Sequence, residues 1–282
     1  MIFFSLKCLE YSFPGHPESA ERVKSIYNHL KDQGYTFEEA KPCREDDILL
    51  VHTKGHLKKV KENTFFDPDT PNLENIYDYA ALAVGGAIQA VDKALEGENS
   101  FSLLRPPGHH AGKNYLGGFC YFNNIAIATC RALRKGVDKV AIIDFDGHHG
   151  NGTEDIFSGE KRVLYLSLHQ YPAYPGTGGS SRGNSLNFPL PPGCEEEDFM
   201  RAFFEGINEV EKFSPGLIGV SAGFDAHEKD PLLSLNLKTE TYFKIGEKIS
   251  SLKKPFFCVL EGGYHEDLPF CVRGFFEGAG IK

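Results

Sequence analysis

The sequence predicts an α/β fold of three layers, with a mostly parallel central sheet flanked by helices on both faces. Three observations point there. Short apolar runs alternate with longer segments of helical periodicity from about residue 100 onward. The runs are apolar at consecutive positions, as in Val140-Ala141-Ile142-Ile143, which suits strands buried on both faces. The unusual polar residues follow the carboxyl ends of these runs, where open α/β sheets bind ligands.

Taken in chain order, His16 to about Lys31 reads as a helix, with Val23, Ile26, Tyr27 and Leu30 at core spacing. Residues 46–52 read as a short loop or strand and 54–62 as a helix. The prolines and aspartates of 66–71 mark an exposed loop. A long Ala-rich helix is expected over 73–95. Strands follow at 100–104, 139–144, 163–168, 216–221 and 255–260, with helices at 123–135, 195–212 and 239–252. Glu195-Glu196-Glu197-Asp198 sits at a helix start, where negative charge complements the dipole, so it is read as capping rather than as an ion site.

At 282 residues and 41% hydrophobic content, the chain can bury one substantial core. No linker, repeat or low-complexity tract divides it, so a single domain over 1–282 is expected. No apolar run approaches bilayer length, and Ile2-Phe3-Phe4-Ser5-Leu6 is too short for a signal peptide. Seven cysteines at 8, 43, 120, 130, 194, 258 and 271 form no CxxC pair, which fits reduced thiols and a cytoplasmic protein. The net charge of −9 argues against a nucleic-acid groove; it suits cationic substrates, though solubility alone also explains it.

Chemistry concentrates at Asp144-Phe145-Asp146-Gly147-His148-His149-Gly150-Asn151. In extended backbone, residues two apart point the same way, so Asp146 and His148 can converge on one ion. A carboxylate and an imidazole are two of the three protein ligands that a catalytic zinc takes. Three other strand ends run into glycine-rich polar turns: 105–111, 221–227 and 261–264.

Six motifs in register, RPPGHHA (105–111), GFCYFNN (118–124), DFDGHHGNGT (144–153), PGTG (175–178), SAGFDAH (221–227) and EGGY (261–264), carry a resemblance to the histone deacetylase / acetylpolyamine amidohydrolase family. HPESAER (16–22) and DPDTP (67–71) fit its less specific motifs, and the likeness covers about residues 14–270. Arg105-Pro106-Pro107 and Asn151 are closer to the class II, bacterial and archaeal members than to class I.

The resemblance implies an arginase-like fold and a zinc-dependent amidohydrolase, with Fe²⁺ as a competing metal. It implies Asp146, His148 and Asp225 as metal ligands, a donor set that leaves coordination open for water and a carbonyl. It places Asp144 behind His109 and Asn151 behind His110. His110 is then the general base and acid and His109 its electrostatic partner; exchanging the two rings is the alternative. Tyr264 corresponds to the phenol that stabilises the oxyanion, a role that rests on the family likeness. Gly118, Phe119 and Tyr174 correspond to tunnel residues, with Tyr174 replacing the commoner Phe. Leu232 occupies the gatekeeper position, where a glutamate would favour a charged polyamine, and Asp69 aligns with the rim aspartate. A structural K⁺ is implied near Asp144, Asp146, His148, Ser167 and Leu168.

His149 is expected to support the metal ligands, whereas His16, His29, His52, His56 and His265 read as surface or structural. His169 and His227 lie near the site without a family ligand role. Eighteen residues follow Tyr264 and little precedes His16, so the rim is expected to be trimmed. The expected reaction is hydrolysis of N6-acetyl-lysine or short acyl-lysine in proteins or peptides. An acetylpolyamine or other small acyl-amine hydrolase is the alternative, and a catalytically silent acyl-lysine binding module a third reading. No nucleic-acid or membrane partner is implied.

Overall fold

The computed structural model describes all 282 residues. In chain order the elements are β1 (Ile2–Phe4), α1 (Ala20–Asp32), β2 (Glu38–Glu39), α2 (Glu45–Ile48), α3 (Lys54–Lys61), α4 (Ile76–Leu95), β3 (Ser100–Ser102) and α5 (Asn124–Arg134). They continue with β4 (Val140–Asp144), α6 (Asn151–Phe157), β5 (Val163–Gln170), β6 (Ser185–Leu190), α7 (Glu196–Phe213), β7 (Leu217–Ala222), α8 (Thr239–Ser251), β8 (Phe256–Leu260) and α9 (Leu268–Ala279).

The eight strands form one sheet in the order β2-β1-β3-β8-β7-β4-β5-β6, and every pairing is parallel. Parallel neighbours require crossovers, and the helices that supply them cover both faces. The strand period shows this at β3. Phe101 packs on Phe275 and Phe276 of α9, whereas Ser100 on the opposite face donates from Oγ to the Ala90 carbonyl of α4. The central strands β4, β7 and β8 are buried at every position, so their unbroken apolar sequences match their place in the sheet.

Several local expectations are corrected. The first helix begins at Ala20, not His16, with Ser19 in extended N-cap geometry. Residues 45–48 are a helical turn, where 46–52 was expected to be loop or strand. Three strands were not anticipated: β2 and β6 at the two edges of the sheet, and β1 beside β2. Their reasons are physical. Both residues of β2 are exposed, so no apolar pattern marks it. β6 carries Pro189, which a strand tolerates at the sheet edge because one side needs no donor.

This topology positions the site. β3, β8, β7 and β4 are consecutive neighbours, and all four end at the same edge. Segments distant in sequence, near residues 109, 264, 225 and 146, are thereby delivered to one place.

Candidate active site

Asp146 and His148 follow β4, and Asp225 follows β7, the strand paired to it. One ligand atom from each of the three lies within 4.8 Å of the others. His148 Nδ1 is 2.7 Å from Asp225 Oδ2 and 3.3 Å from Asp146 Oδ1. All three side chains are buried. Burial opposes charge on His148, yet the Asp225 and Asp146 carboxylates push its pKa up to about 10. Burial and the neighbouring Asp146 raise the carboxyl of Asp225. Two carboxylates held this close in a dry site demand a cation. The backbone leaves room for that packing only because Gly262 has no side chain; a Cβ there would meet Asp146 Oδ2 at 2.7 Å. Two carboxylates and an imidazole with converging ligand atoms fit a divalent ion such as zinc.

The tandem histidines occupy the turn after β3. His109 Nδ1 lies 3.1 Å from Asp144 Oδ2, and its Nε2 lies 3.8 Å from Asp146 Oδ1. Tyr165 Oη also donates to Asp144 Oδ2 at 2.8 Å. Burial opposes protonation of His109, but the carboxylates of Asp146, Asp144 and Glu261 hold its pKa well above the ordinary value. His110 differs. Its Nδ1 lies 2.8 Å from Asn151 Oδ1, and burial together with the His109 and His148 rings holds its pKa well below the ordinary value. An amide oxygen only accepts, so Nδ1 carries the proton and Nε2 bears the lone pair. The two adjacent rings are therefore set for opposite protonation states.

A cleft of about 200 Å³ reaches these groups. Asp146, His148, His109, His110 and Gly262 line its floor, and Tyr264 its side. Pro107, Gly118, Phe119, Tyr174, Leu232 and Asp69 line the remainder. Phe119 packs edge-on to Tyr264 at 5.8 Å, and Tyr174 edge-on to His110 at 5.1 Å. Each wall aromatic thus rests on a different polar group. Gly118 takes φ +55° and Phe119 φ +70°, so the chain turns through left-handed conformation at the wall. A side chain at Gly118 would collide with the His110 ring. Leu232 is 40% exposed and Tyr174 44%, which sets them at the mouth.

Several residues that hold this arrangement received no role from the sequence. Glu261 Oε2 accepts from the backbone N–H groups of Gly108 (2.7 Å) and His109 (3.2 Å), and its Oε1 accepts from Ser221 Oγ (3.1 Å). It ties the ends of β8 and β7 to the histidine turn. Asp230 accepts from the N–H groups of Tyr264 (2.8 Å) and Leu232 (2.9 Å), joining the side of the cleft to its mouth. Arg22 donates from Nε to Gly263 O (2.5 Å) and from Nη2 to Glu261 O (2.7 Å). Glu18 then accepts from both Arg22 and Arg105, and it is 4% exposed. The Glu18 and Arg22 spacing of four, with an arginine at the end of β3, was the available signal.

The histidines set aside have structural contacts. His16 Nε2 lies 3.1 Å from Asp69 O and its ring packs edge-on to Phe119 at 4.6 Å, so it braces the mouth. His149 follows His148 of the Asp146, His148 and Asp225 trio, its Nδ1 2.8 Å from Thr177 Oγ1 and its ring 4.6 Å from His169. No helix is long and apolar enough to cross a membrane.

Comparison with known proteins gives the same direction. A family model described as the histone deacetylase domain matches residues 16–277. A probable deacetylase of Archaeoglobus fulgidus is 39% identical over 93% of this chain and 80% of its own length. The crystal structure of the HDA15 HD domain superposes with a TM-score of 0.93 at 31% identity, covering 100% of this chain and 91% of that one. An acetylpolyamine aminohydrolase from Burkholderia pseudomallei superposes at 0.92 with 27% identity, covering 99% and 98%.

Proposed function

The chain belongs to the histone deacetylase family, and from that premise we propose that residues 1–282 form a single zinc-dependent deacetylase domain acting on N6-acetyl-lysine or short acyl-lysine in proteins or peptides. The observation that carries this reading is a cleft that reaches Asp146 and His148, whose ligand atoms group with that of Asp225, with uncharged Leu232 at its mouth. The methylene stem of an acylated lysine needs apolar walls, which Phe119 and Tyr174 supply.

Asp146, His148 and Asp225 would hold the ion. When bound, zinc would polarise the acyl carbonyl and acidify a water; Fe²⁺ offers the same chemistry. His110 accepts the proton of the attacking water at Nε2, the nitrogen left free by Asn151. His109, backed by Asp144, keeps positive charge beside the reacting centre. Burial keeps the Tyr264 phenol protonated, so its hydroxyl donates to the oxyanion as attack proceeds. His110 Nε2 then returns its proton to the departing nitrogen, giving a carboxylic acid and a free amine. We assign a structural K⁺ to oxygens around Asp144, Asp146, His148, Ser167 and Leu168, since Asp144 and Ser167 are register partners on β4 and β5. All seven cysteines are free, in keeping with a reducing cytoplasmic setting.

A second reading is hydrolysis of acetylpolyamines or other small acyl-amines. The carboxylate of Asp69 at the mouth favours it, since it would attract a distal ammonium, as does the fold match to an acetylpolyamine aminohydrolase. The deciding experiment is a panel of acetyl-lysine peptides, longer acyl-lysines and acetylated polyamines, each with and without chelator. Chelator-sensitive turnover of peptides is expected. Turnover of polyamines alone would favour the second reading, and no turnover by metal-loaded protein would favour a binding module.

A further inference from the structure

A separate group of metal-binding side chains lies behind the loop that carries Tyr264. His227, His265 and Cys271 are buried, and one ligand atom from each falls within 4.8 Å of the others. The two imidazoles stack with centroids 4.2 Å apart and planes 6° from parallel. His265 Nε2 lies 2.9 Å from the Phe224 carbonyl, which fixes the ring proton there, because a carbonyl only accepts. The lone pair on His265 Nδ1 is therefore buried, and no group in the protein bonds to it. Proteins present imidazoles to metals in this way, one nitrogen tied to a carbonyl and the other free. His227 Nδ1 accepts from the Lys229 N–H at 3.3 Å, which leaves its proton on Nε2, 3.3 Å from Thr239 Oγ1, so ligation through Nε2 moves that proton to Nδ1; Cys271 Sγ is 3.8 Å from the same oxygen. Nitrogen and sulfur thus flank one point.

We infer that His227, His265 and Cys271 form a second metal site, selective for a borderline-soft ion of the zinc class. Two imidazoles and a thiolate, with water or the Thr239 hydroxyl in the fourth position, are a donor set that zinc accepts. Tetrahedral bonds of ~2.1–2.3 Å separate ligand atoms by roughly 3.4–3.7 Å, so the trio needs to draw in by no more than about 1.4 Å as the stacked rings tilt apart. Burial pushes the free thiol of Cys271 up to about 12, so binding releases one proton as the thiolate forms. The ion would fasten the segment after Asp225 to the first turns of α9. The site shares no ligand with the Asp146, His148 and Asp225 trio and stands whether or not the chain is a deacetylase.

Cobalt(II) distinguishes the two sites, because only the second contains sulfur. The full chain, stripped of metal and kept reduced, is titrated with Co²⁺ and followed in the near ultraviolet. A saturable sulfur-to-cobalt charge-transfer band is expected in the wild type and in Asp225→Asn. It is expected to vanish in Cys271→Ser and in His227→Gln, each checked for native circular dichroism. Zinc should displace the cobalt, and the second zinc equivalent should raise Tm in the wild type but not in Cys271→Ser. Absence of the band in folded wild type, or its survival in Cys271→Ser, overturns the assignment.

Discussion

The guanidinium of Arg22 lies 4.5 Å from the centroid of the Tyr264 ring while donating to the carbonyls of Gly263 and Glu261. A helix near the amino terminus thus holds the loop that carries the phenol. Its charge is balanced by Glu18, which Arg105 also grips through two nitrogens at 2.7 Å. Arg22→Gln should lower stability by about 2 kcal/mol, the scale of a lost charged hydrogen-bond group. Turnover should fall roughly tenfold as the loop loosens, equivalent to ~1.4 kcal/mol of barrier. Denaturant unfolding and steady-state kinetics check both; unchanged kcat would show that the loop holds without Arg22.

Tyr264→Phe removes one hydroxyl and leaves the wall contact with Phe119 in place. Turnover should fall by roughly 10²–10³, the usual loss for one oxyanion donor, with metal content unchanged. Kinetics alongside elemental analysis tests this, and near-normal turnover would remove Tyr264 from the mechanism.

His148→Ala and Asp225→Asn should each leave the remaining charged partners buried without compensation. Both variants should lose the metal held by this trio and activity together, and excess zinc should restore neither fully. A variant that keeps stoichiometric metal at the catalytic site would refute the ligand assignment. The chelator-treated wild type should regain activity on zinc addition.

Leu232→Glu places a carboxylate at a 40% exposed position on the mouth. The ratio of kcat/KM for acetylated polyamine over acetyl-lysine peptide should rise at least roughly tenfold, a shift of about 1.4 kcal/mol. An unchanged ratio would show that the mouth does not select by charge at this point.

His52 is buried, its Nδ1 2.9 Å from the Gly112 carbonyl, while its Nε2 accepts from the Asn123 N–H at 2.9 Å. Burial, with help from the charge of His56, pulls its pKa down to about 3, against about 6.5 when unfolded. The unfolded chain therefore binds the extra proton between those values. The contribution of neutral His52 is fully present above about pH 6.5 and falls as pH drops toward 3, by up to about 1.4 kcal/mol per unit. In His52→Gln this part of the slope should disappear. Denaturant midpoints from pH 4 to 8 measure it, and parallel pH profiles for the two proteins would rule it out.

The sequence exposed the central strands and the polar turns after them, because burial on both faces writes itself as unbroken apolar runs such as 140–143. It exposed the Asp146 and His148 pair for a local reason, their spacing of two. The convergence of Asp225 and Tyr264 upon that pair came from resemblance, since only the strand order makes them neighbours. What remained hidden depends on tertiary contact. β2 has two exposed glutamates and no pattern, so only its pairing with β1 defines it. Glu18, Arg22 and Arg105 fall in motifs that give them no role, and Asp230 looks like an ordinary surface charge in sequence, yet all four are buried behind the cleft. Whether a charge faces water or another charge is set by the packed fold.

The cleft also has a pharmacological consequence. Its floor comes from turns at the ends of adjoining strands, three of them tied together through Glu261, whereas its entrance is assembled from loops around residues 69, 118, 174 and 232. A chelating warhead that reaches the bottom would meet much the same surroundings in any relative sharing those turns. Compounds meant to discriminate this protein from its kin should therefore draw their selectivity from a cap that reads the Tyr174 hydroxyl and the Asp69 carboxylate.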